Sequence, residues 1–177
     1  LKDQINKTIW LVHGDATQLE FNSGTFNGYW SVQTLQHIPN FDQSVAEAVR
    51  VLMAGGVFAS YSLNYSWPMA VVSNLLGRQY SIKTYLENTY YLNRADNNQR
   101  VAIRRLFNNQ VTERYSKILF KPGFWAHFPI NYRLLCGKLD ALMSSDLPLF
   151  SWIARQRSFH TKKPLKATTD YLKEVIK

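Results

Sequence analysis

At 177 residues, with 46% apolar and 19% charged positions, the chain is long enough for one domain or a large part of one and too apolar for a disordered polyelectrolyte. The one cysteine, Cys136, excludes an internal disulfide and any multi-cysteine zinc or iron–sulfur site, and makes a reducing, cytoplasmic setting the simplest expectation. The net charge of +9 is uneven: residues 1–76 hold three basic against five acidic side chains (−2), and residues 77–177 hold eighteen against seven (+11). That basic part is compatible with an anionic partner, whether nucleic acid, lipid head groups or an acidic substrate, and equally with a solvated basic surface.

Residues 1–8 are too polar for the apolar core of a secretory signal, and a chain that opens on Leu1 is expected to be a fragment. Residues 9–12 (Ile-Trp-Leu-Val) form a short apolar run, closed by His13, Gly14 and Asp15, that predicts a strand buried on both faces. Residues 24–28 are turn-like, and residues 29–33 read as a second strand. Asn40 or Asp42 is placed to cap a helix whose apolar positions are Val45, Ala48, Val49 and Leu52; Gly55 and Gly56 are expected to stop it before a third strand over 57–63. The uncharged stretches 21–41 and 51–77 contain amides, glycines and prolines, so neither predicts a membrane span.

Further along, residues 67–76 predict a helix with Pro68 in its first turn. Residues 77–97 are polar and aromatic, with Tyr80, Tyr85, Tyr90 and Tyr91, and read as an insertion or lid. A helix over 98–108 places Val101, Leu106 and Phe107 on or near its apolar face, and a strand over 111–120 ends at Lys121-Pro122-Gly123. Trp125 and Phe128 bracket an aromatic cluster just beyond, placed for the same lid. Residues 130–143 predict an amphipathic helix burying Leu134, Leu135, Leu139 and Leu142; 150–158 predict a final strand and 169–176 a terminal helix. Strands alternating with helices in this way predict an α/β fold with right-handed crossovers.

In open α/β sheets, ligands bind beyond the carboxyl ends of the strands. The first predicted strand ends at Gly14-Asp15-Ala16, the second at Ser31, Val32 and Gln33 before Gln36 and His37, and the third near Ser62 and Asn64. The run from His13 through Gly14, Asp15 and Ala16 to Leu19-Glu20-Phe21 resembles the "GDAxxLPF" signature of class I S-adenosylmethionine-dependent methyltransferases. Residues 26–38 are similar to the family's next strand and loop, "FDxVxSxxxLxH", and Arg50-Val51-Leu52-Met53-Ala54-Gly55-Gly56 is similar to "RVLKPGG". The three lie in order and at family spacing within residues 5–64; the nearest subgroup is the one that includes quinone-biosynthesis enzymes.

This resemblance implies a partial Rossmann-like methyltransferase sheet: the later strands of a seven-stranded, mostly parallel sheet with a closing antiparallel pair, here 111–120 and 150–158. Residues 1–64 become the cofactor-side half, with the third to fifth strands, and 65–177 the acceptor side of the same domain. It implies S-adenosylmethionine as cofactor, Asp15 accepting from the adenine amino group, and the Ala16 backbone donating to a ring nitrogen. Ser31, Val32 and Gln33 fall where the fourth strand passes the methionine and sulfonium, and His37 faces the acceptor. The acceptor is expected to be a small molecule, with no metal and no assigned catalytic residue.

The sequence also departs from that pattern. Asn27 replaces the acidic residue of "FD", Glu20 the proline of "LPF" and Ala54 the proline of "KPGG". No G-x-G-x-x-G loop and no ribose-binding acid after a second strand are present, so the fragment alone is expected to be inactive. Locally, Asp15 also reads as an ordinary turn residue and His37 as loop packing beside Pro39. His13, His127 and His160 have no metal-ligand spacing. Three rival readings stand beside the resemblance: a nucleic-acid-binding module, a non-catalytic scaffold, and a nicotinamide-dependent oxidoreductase fragment.

Overall fold

The computed structural model describes residues 9–82, 91–108, 111–117, 129–143 and 146–165. They form β1 (Phe26–Val32), a 3-10 turn (Leu35–His37), α1 (Phe41–Val51), β2 (Leu52–Leu63), α2 (Trp67–Leu75), α3 (Asn97–Leu106), β3 (Val111–Ser116), α4 (Ile130–Met143), a second 3-10 turn (Pro148–Trp152) and β4 (Gln156–Lys162). Side chains set the helix starts. Asn40 accepts from the Gln43 N–H, Ser66 from Met69 with Pro68 in the first turn, and Asp96 from Gln99, each satisfying a donor that the helix itself leaves open. Tyr85, Tyr90, the segment Lys121-Pro122-Gly123, His127 with its aromatic neighbours and the expected helix over 169–176 lie outside the described residues.

One four-stranded mixed sheet has the order β1-β2-β4-β3. β1 runs parallel to β2, which is what the intervening α1 demands, while β4 is antiparallel to both β2 and β3. Leu63, Gln156 and Ser116 are in register across β2, β4 and β3. The carboxyl ends of β1, β2 and β3 and the amino end of β4 therefore share one edge. Alternation sorts the two faces. Tyr29, Phe58 and Phe159 lie on one face and pack with Val45, Val49, Ile103 and Phe107 from the α1 and α3 side. The Tyr29–Phe58 and Phe58–Phe107 rings lie 5.6 and 5.0 Å apart. Burying each such phenylalanine stabilises the fold by about 1.5–3 kcal/mol. On the opposite face Trp30, Val32 and Val57 stay exposed.

Four expectations need correction. Residues 9–12 belong to no strand of the described sheet: Ile9 makes only a single β-bridge and Trp10 and Leu11 are exposed, so the apolar run alone does not supply a strand. Gly55 and Gly56 do not stop α1, which ends at Val51. They sit inside β2, where the β1–β2 register jumps between Phe26↔Leu52 and Gly28↔Val57. Gly55 takes φ +77°, and a Cβ on Gly56 would stand 2.9 Å from the Met53 carbonyl, so a bulge rather than a helix end requires the pair. The final strand starts at Gln156, because Pro148 has no N–H to give a ladder and opens a 3-10 turn through Trp152. The helix over 130–143 forms, but Leu134, Leu135, Leu139 and Leu142 are exposed and Asp140 is the buried position.

Among the described residues no helix is long and apolar enough to cross a membrane. The core face of β3 carries Glu113, which gathers three arginines: Arg157 at 2.7 Å, Arg104 at 3.6 Å and Arg100 at 3.7 Å. Arg157 is buried, and its guanidinium also lies 5.1 Å from the Phe159 ring. Removing the carboxylate strands a buried cation, and breaking such a pair typically costs about 3–5 kcal/mol. Glu113→Gln should therefore lower the urea midpoint by an equivalent of about 3 kcal/mol; an unchanged midpoint would show that solvent already neutralises the three arginines.

Candidate functional site

The candidate site begins on irregular chain held by α1. Asp15 and Gln18 form an isolated bridge, with the Gln18 N–H donating to the Asp15 carbonyl at 3.0 Å. Asp15 Oδ1 accepts from both the backbone N–H and the hydroxyl of Thr17, each at 2.8 Å. Those two donors, the backbone one first, hold its carboxyl below the ordinary range. Neither Asp15 Oδ2 nor the Ala16 N–H has a partner among the described residues. An acceptor oxygen and a backbone donor thus stand side by side at an open turn.

Two α1 side chains hold residues 19–21 in place. Glu47 Oε2 accepts from the Leu19 N–H at 2.8 Å, and Arg50 donates to the Leu19 and Phe21 carbonyls, both at 2.7 Å. Arg50 also pairs with both Glu47 oxygens, Nε to Oε1 at 2.7 Å and Nη2 to Oε2 at 2.8 Å. Gln43, in the first turn of α1, donates to the Thr17 carbonyl at 3.4 Å. The Asp15 turn is thereby tied beside the amino end of α1, on the sheet edge where β1 ends.

At that edge Ser31 is buried, Val32 is exposed on the opposite face, and Gln33 leaves the strand with φ +54° while its N–H donates to the Tyr61 carbonyl at 2.7 Å. No hydrogen bond joins these residues to the Asp15 turn; what they share is the edge.

His37 is reached through Gln36. The buried Gln36 Oε1 accepts from the Leu63 N–H at 2.7 Å, which turns its amide nitrogen toward His37 Nε2 at 3.0 Å. Nε2 is therefore an acceptor. His37 Nδ1 carries the proton and donates to the Tyr91 carbonyl at 2.7 Å, an assignment that follows from the network. Both ring nitrogens are engaged, so the ring serves as a strut between the 3-10 turn and residue 91. Among the described residues no three His, Cys, Asp or Glu side chains converge as metal ligands would.

The same edge holds a cleft of about 330 Å³ that sequence reasoning did not find. Asn64, at the end of β2, lines it together with Tyr80 and four cations, Arg78, Arg94, Lys117 and Arg155. These residues come from separate stretches, and only the fold brings them to one place. The Asn64–Ala95 bridge and the Asn64 N–H bond to the Arg155 carbonyl at 2.8 Å do so.

Residues 1–60 match the family profile described as a methyltransferase domain. The resemblance to S-adenosylmethionine-dependent methyltransferases holds. Over 60 residues the chain is 32% identical to a sterol 24-C-methyltransferase of Kluyveromyces lactis and 33% identical to a mitochondrial 2-methoxy-6-polyprenyl-1,4-benzoquinol methylase of Arabidopsis thaliana. Those segments are 34% of this chain but only 16% and 21% of the relatives.

Among solved structures, a SAM-dependent methyltransferase of Thermotoga maritima superposes with TM-score 0.57 at 11% identity, covering 88% of this chain and 64% of that one. A SAM-dependent methyltransferase of Methanosarcina mazei gives 0.51 at 12% identity, covering 86% and 66%. At such identities the likeness speaks for the fold: an α/β methyltransferase fold, here with a four-stranded mixed sheet.

The Glu47–Arg50 clamp gives the site an acid limit. Hydrogen bonding from Arg50 holds the Glu47 carboxyl below its ordinary value of 4.5, with burial opposing and the Leu19 N–H assisting. Because the folded value is the lower one, the stabilisation is full above 4.5 and is lost as pH falls through the depressed folded value. Thermal unfolding followed from about pH 7 to about pH 3 should show a shallower acid loss for Glu47→Gln than for the unaltered chain; equal slopes would show that other carboxylates govern it.

Proposed function

We propose that this chain takes part in S-adenosylmethionine-dependent methyl transfer to a small-molecule acceptor, with residues 1–64 on the cofactor side and 65–177 on the acceptor side. The observation that carries the reading is the open pair at Asp15: an unpartnered carboxylate oxygen beside an unpartnered Ala16 N–H, within the segment that matches the methyltransferase profile. That pair fits the donor–acceptor edge of adenine. Bound S-adenosylmethionine supplies a methyl group on a sulfonium that is open to one-step displacement.

The protein's task in such a displacement is alignment. Asp15 and Ala16 hold the purine, and the exposed end of β1 at Val32 and Gln33, with Ser31 buried behind, borders the reacting end. His37 stands on the acceptor side as a positioned ring, fixed by Gln36 and Tyr91. The sterol and quinol substrates named for the two sequence relatives support a small-molecule acceptor. We place these strands within a seven-stranded sheet and the protein in a reducing, cytoplasmic setting, the latter supported by its single free cysteine.

Isothermal titration with S-adenosylmethionine and S-adenosylhomocysteine tests the reading. A chain extended amino-terminally to include a glycine-rich loop should bind both, and the 177 residues alone should bind weakly or not at all. Silence from the extended chain would overturn the methyltransferase reading, and micromolar binding by the 177 residues would overturn the need for the loop. In the extended chain Asp15→Ala should weaken both ligands by roughly tenfold; unchanged affinity would remove Asp15 from the site.

A further inference from the structure

The cleft at the ends of β2 and β3 has chemistry of its own. Among the described residues no acidic side chain lines it, while Arg78, Arg94, Lys117 and Arg155 all do. Arg78, Lys117 and Arg155 have no ion-pair partner among the described residues. Five other arginines of the basic part are paired: Arg100, Arg104 and Arg157 meet Glu113, Arg105 meets Asp42 and Arg114 meets Asp146. Arg94 is held in place, with Nε donating to the Tyr80 carbonyl at 2.7 Å and its guanidinium 4.2 Å from the Tyr80 ring centroid. Lys117 stands at φ +57° at the end of β3, and its carbonyl accepts from the Arg155 N–H at 3.3 Å, which puts these two cationic residues on neighbouring backbones.

A second, independent observation lies at the cleft wall. Asn64 is 1% exposed and donates both amide hydrogens, to the Ser151 carbonyl at 2.6 Å and the Ala154 carbonyl at 2.9 Å. Those bonds fix the amide orientation and leave Oδ1 buried with no partner. A buried acceptor without a donor is costly in the free protein and is relieved by a ligand that brings an O–H or N–H.

We infer that this cleft is the acceptor subsite for a small phosphate-bearing molecule whose hydroxyl or amine donates to Asn64 Oδ1; the inference rests on the methyltransferase reading only for the word acceptor. Cations that lack carboxylate partners suit a multiply charged oxyanion, which several N–H donors share in charge-assisted hydrogen bonds. Met69 and Ile153 line the same cleft and face the carbon skeleton of such a ligand. The phosphate belongs either to a free metabolite or to a lipid head group, and the chemistry of the cleft is the same for both.

The test needs no cofactor. Glycerol 3-phosphate, glycerol, and vesicles of phosphatidylcholine with and without phosphatidic acid are titrated onto the 177-residue chain, followed by calorimetry and by vesicle co-sedimentation. Saturable binding of glycerol 3-phosphate but not glycerol, weakening with added salt, is expected. Arg155→Gln and Lys117→Gln, both at exposed positions, should each weaken it by roughly tenfold with the thermal midpoint of the free protein unchanged. Binding confined to phosphatidic acid vesicles and lost in the same variants assigns the phosphate to a lipid. Absence of both, or binding that the two variants leave intact, overturns the inference. Because S-adenosylmethionine is absent from every arm, cofactor titration can fail while phosphate binding stands, and the reverse outcome condemns the cleft alone.

Discussion

The candidate cofactor side depends on one interaction, the clamp that Glu47 and Arg50 of α1 place on residues 19–21. Residues 9–25 contribute no strand to the sheet, so their backbone groups need partners from elsewhere. The Arg50 fork takes two of those carbonyls and Glu47 one N–H, while the two side chains neutralise each other. Arg50 lies in the last turn of α1, where a cation also complements the helix dipole. The Asp15 turn thus inherits its place from α1. Helix α1 in turn is placed by the parallel β1–β2 pair that it connects.

The clamp also gives the sequence signature a physical meaning. Leu19 and Phe21 belong to the first stretch that resembles the methyltransferases, and Arg50 opens the third. Their side-chain-to-backbone bonds join two motifs about thirty residues apart, so order and spacing were informative because the stretches touch. The charge asymmetry is resolved by the same reasoning. Five arginines of the basic part are paired with Glu113, Asp42 or Asp146, three of them meeting Glu113 on the core face of β3. Among the described residues, Arg78, Lys117 and Arg155 have no ion-pair partner, and all three line the cleft.

Legibility in the sequence followed how local each determinant was. Helices α1, α2 and α3 were readable because their caps and apolar spacing lie within a dozen residues. The strand expected over 9–12 failed because strand formation depends on a neighbour, which apolar content does not report. The leucines of 130–143 gave a helix correctly and a buried face wrongly, since periodicity marks an apolar stripe without saying what covers it. Asp15, Ser31, Val32, Gln33 and His37 were singled out only through a resemblance, since no local pattern marks them; they lie toward the edge where β1 ends. The cleft was invisible for the opposite reason. Arg78, Arg94, Lys117 and Arg155 span nearly eighty residues and share no motif, and Asn64 becomes notable only once its two donors are seen to be engaged.

The candidate site and the cleft are joined structurally through one buried residue, Gln36. Gln36 accepts from Leu63 at the end of β2, donates toward His37, and offers its carbonyl to the Asn93 N–H at 2.8 Å. One residue after Leu63 comes Asn64, and one residue after Asn93 comes Arg94, so Gln36 sits between the 3-10 turn that follows β1 and the wall of the cationic cleft. Methyl transfer demands that nucleophile and sulfonium be aligned to within fractions of an ångström, and misplacement of about 1 Å can cost two orders of magnitude in rate. A residue whose side chain bonds the Leu63 N–H and the His37 ring, and whose backbone carbonyl bonds the Asn93 N–H, has little freedom to drift. Gln36 therefore ties the 3-10 turn that follows β1 to the end of β2 and to residue 93, beside the wall of the cleft.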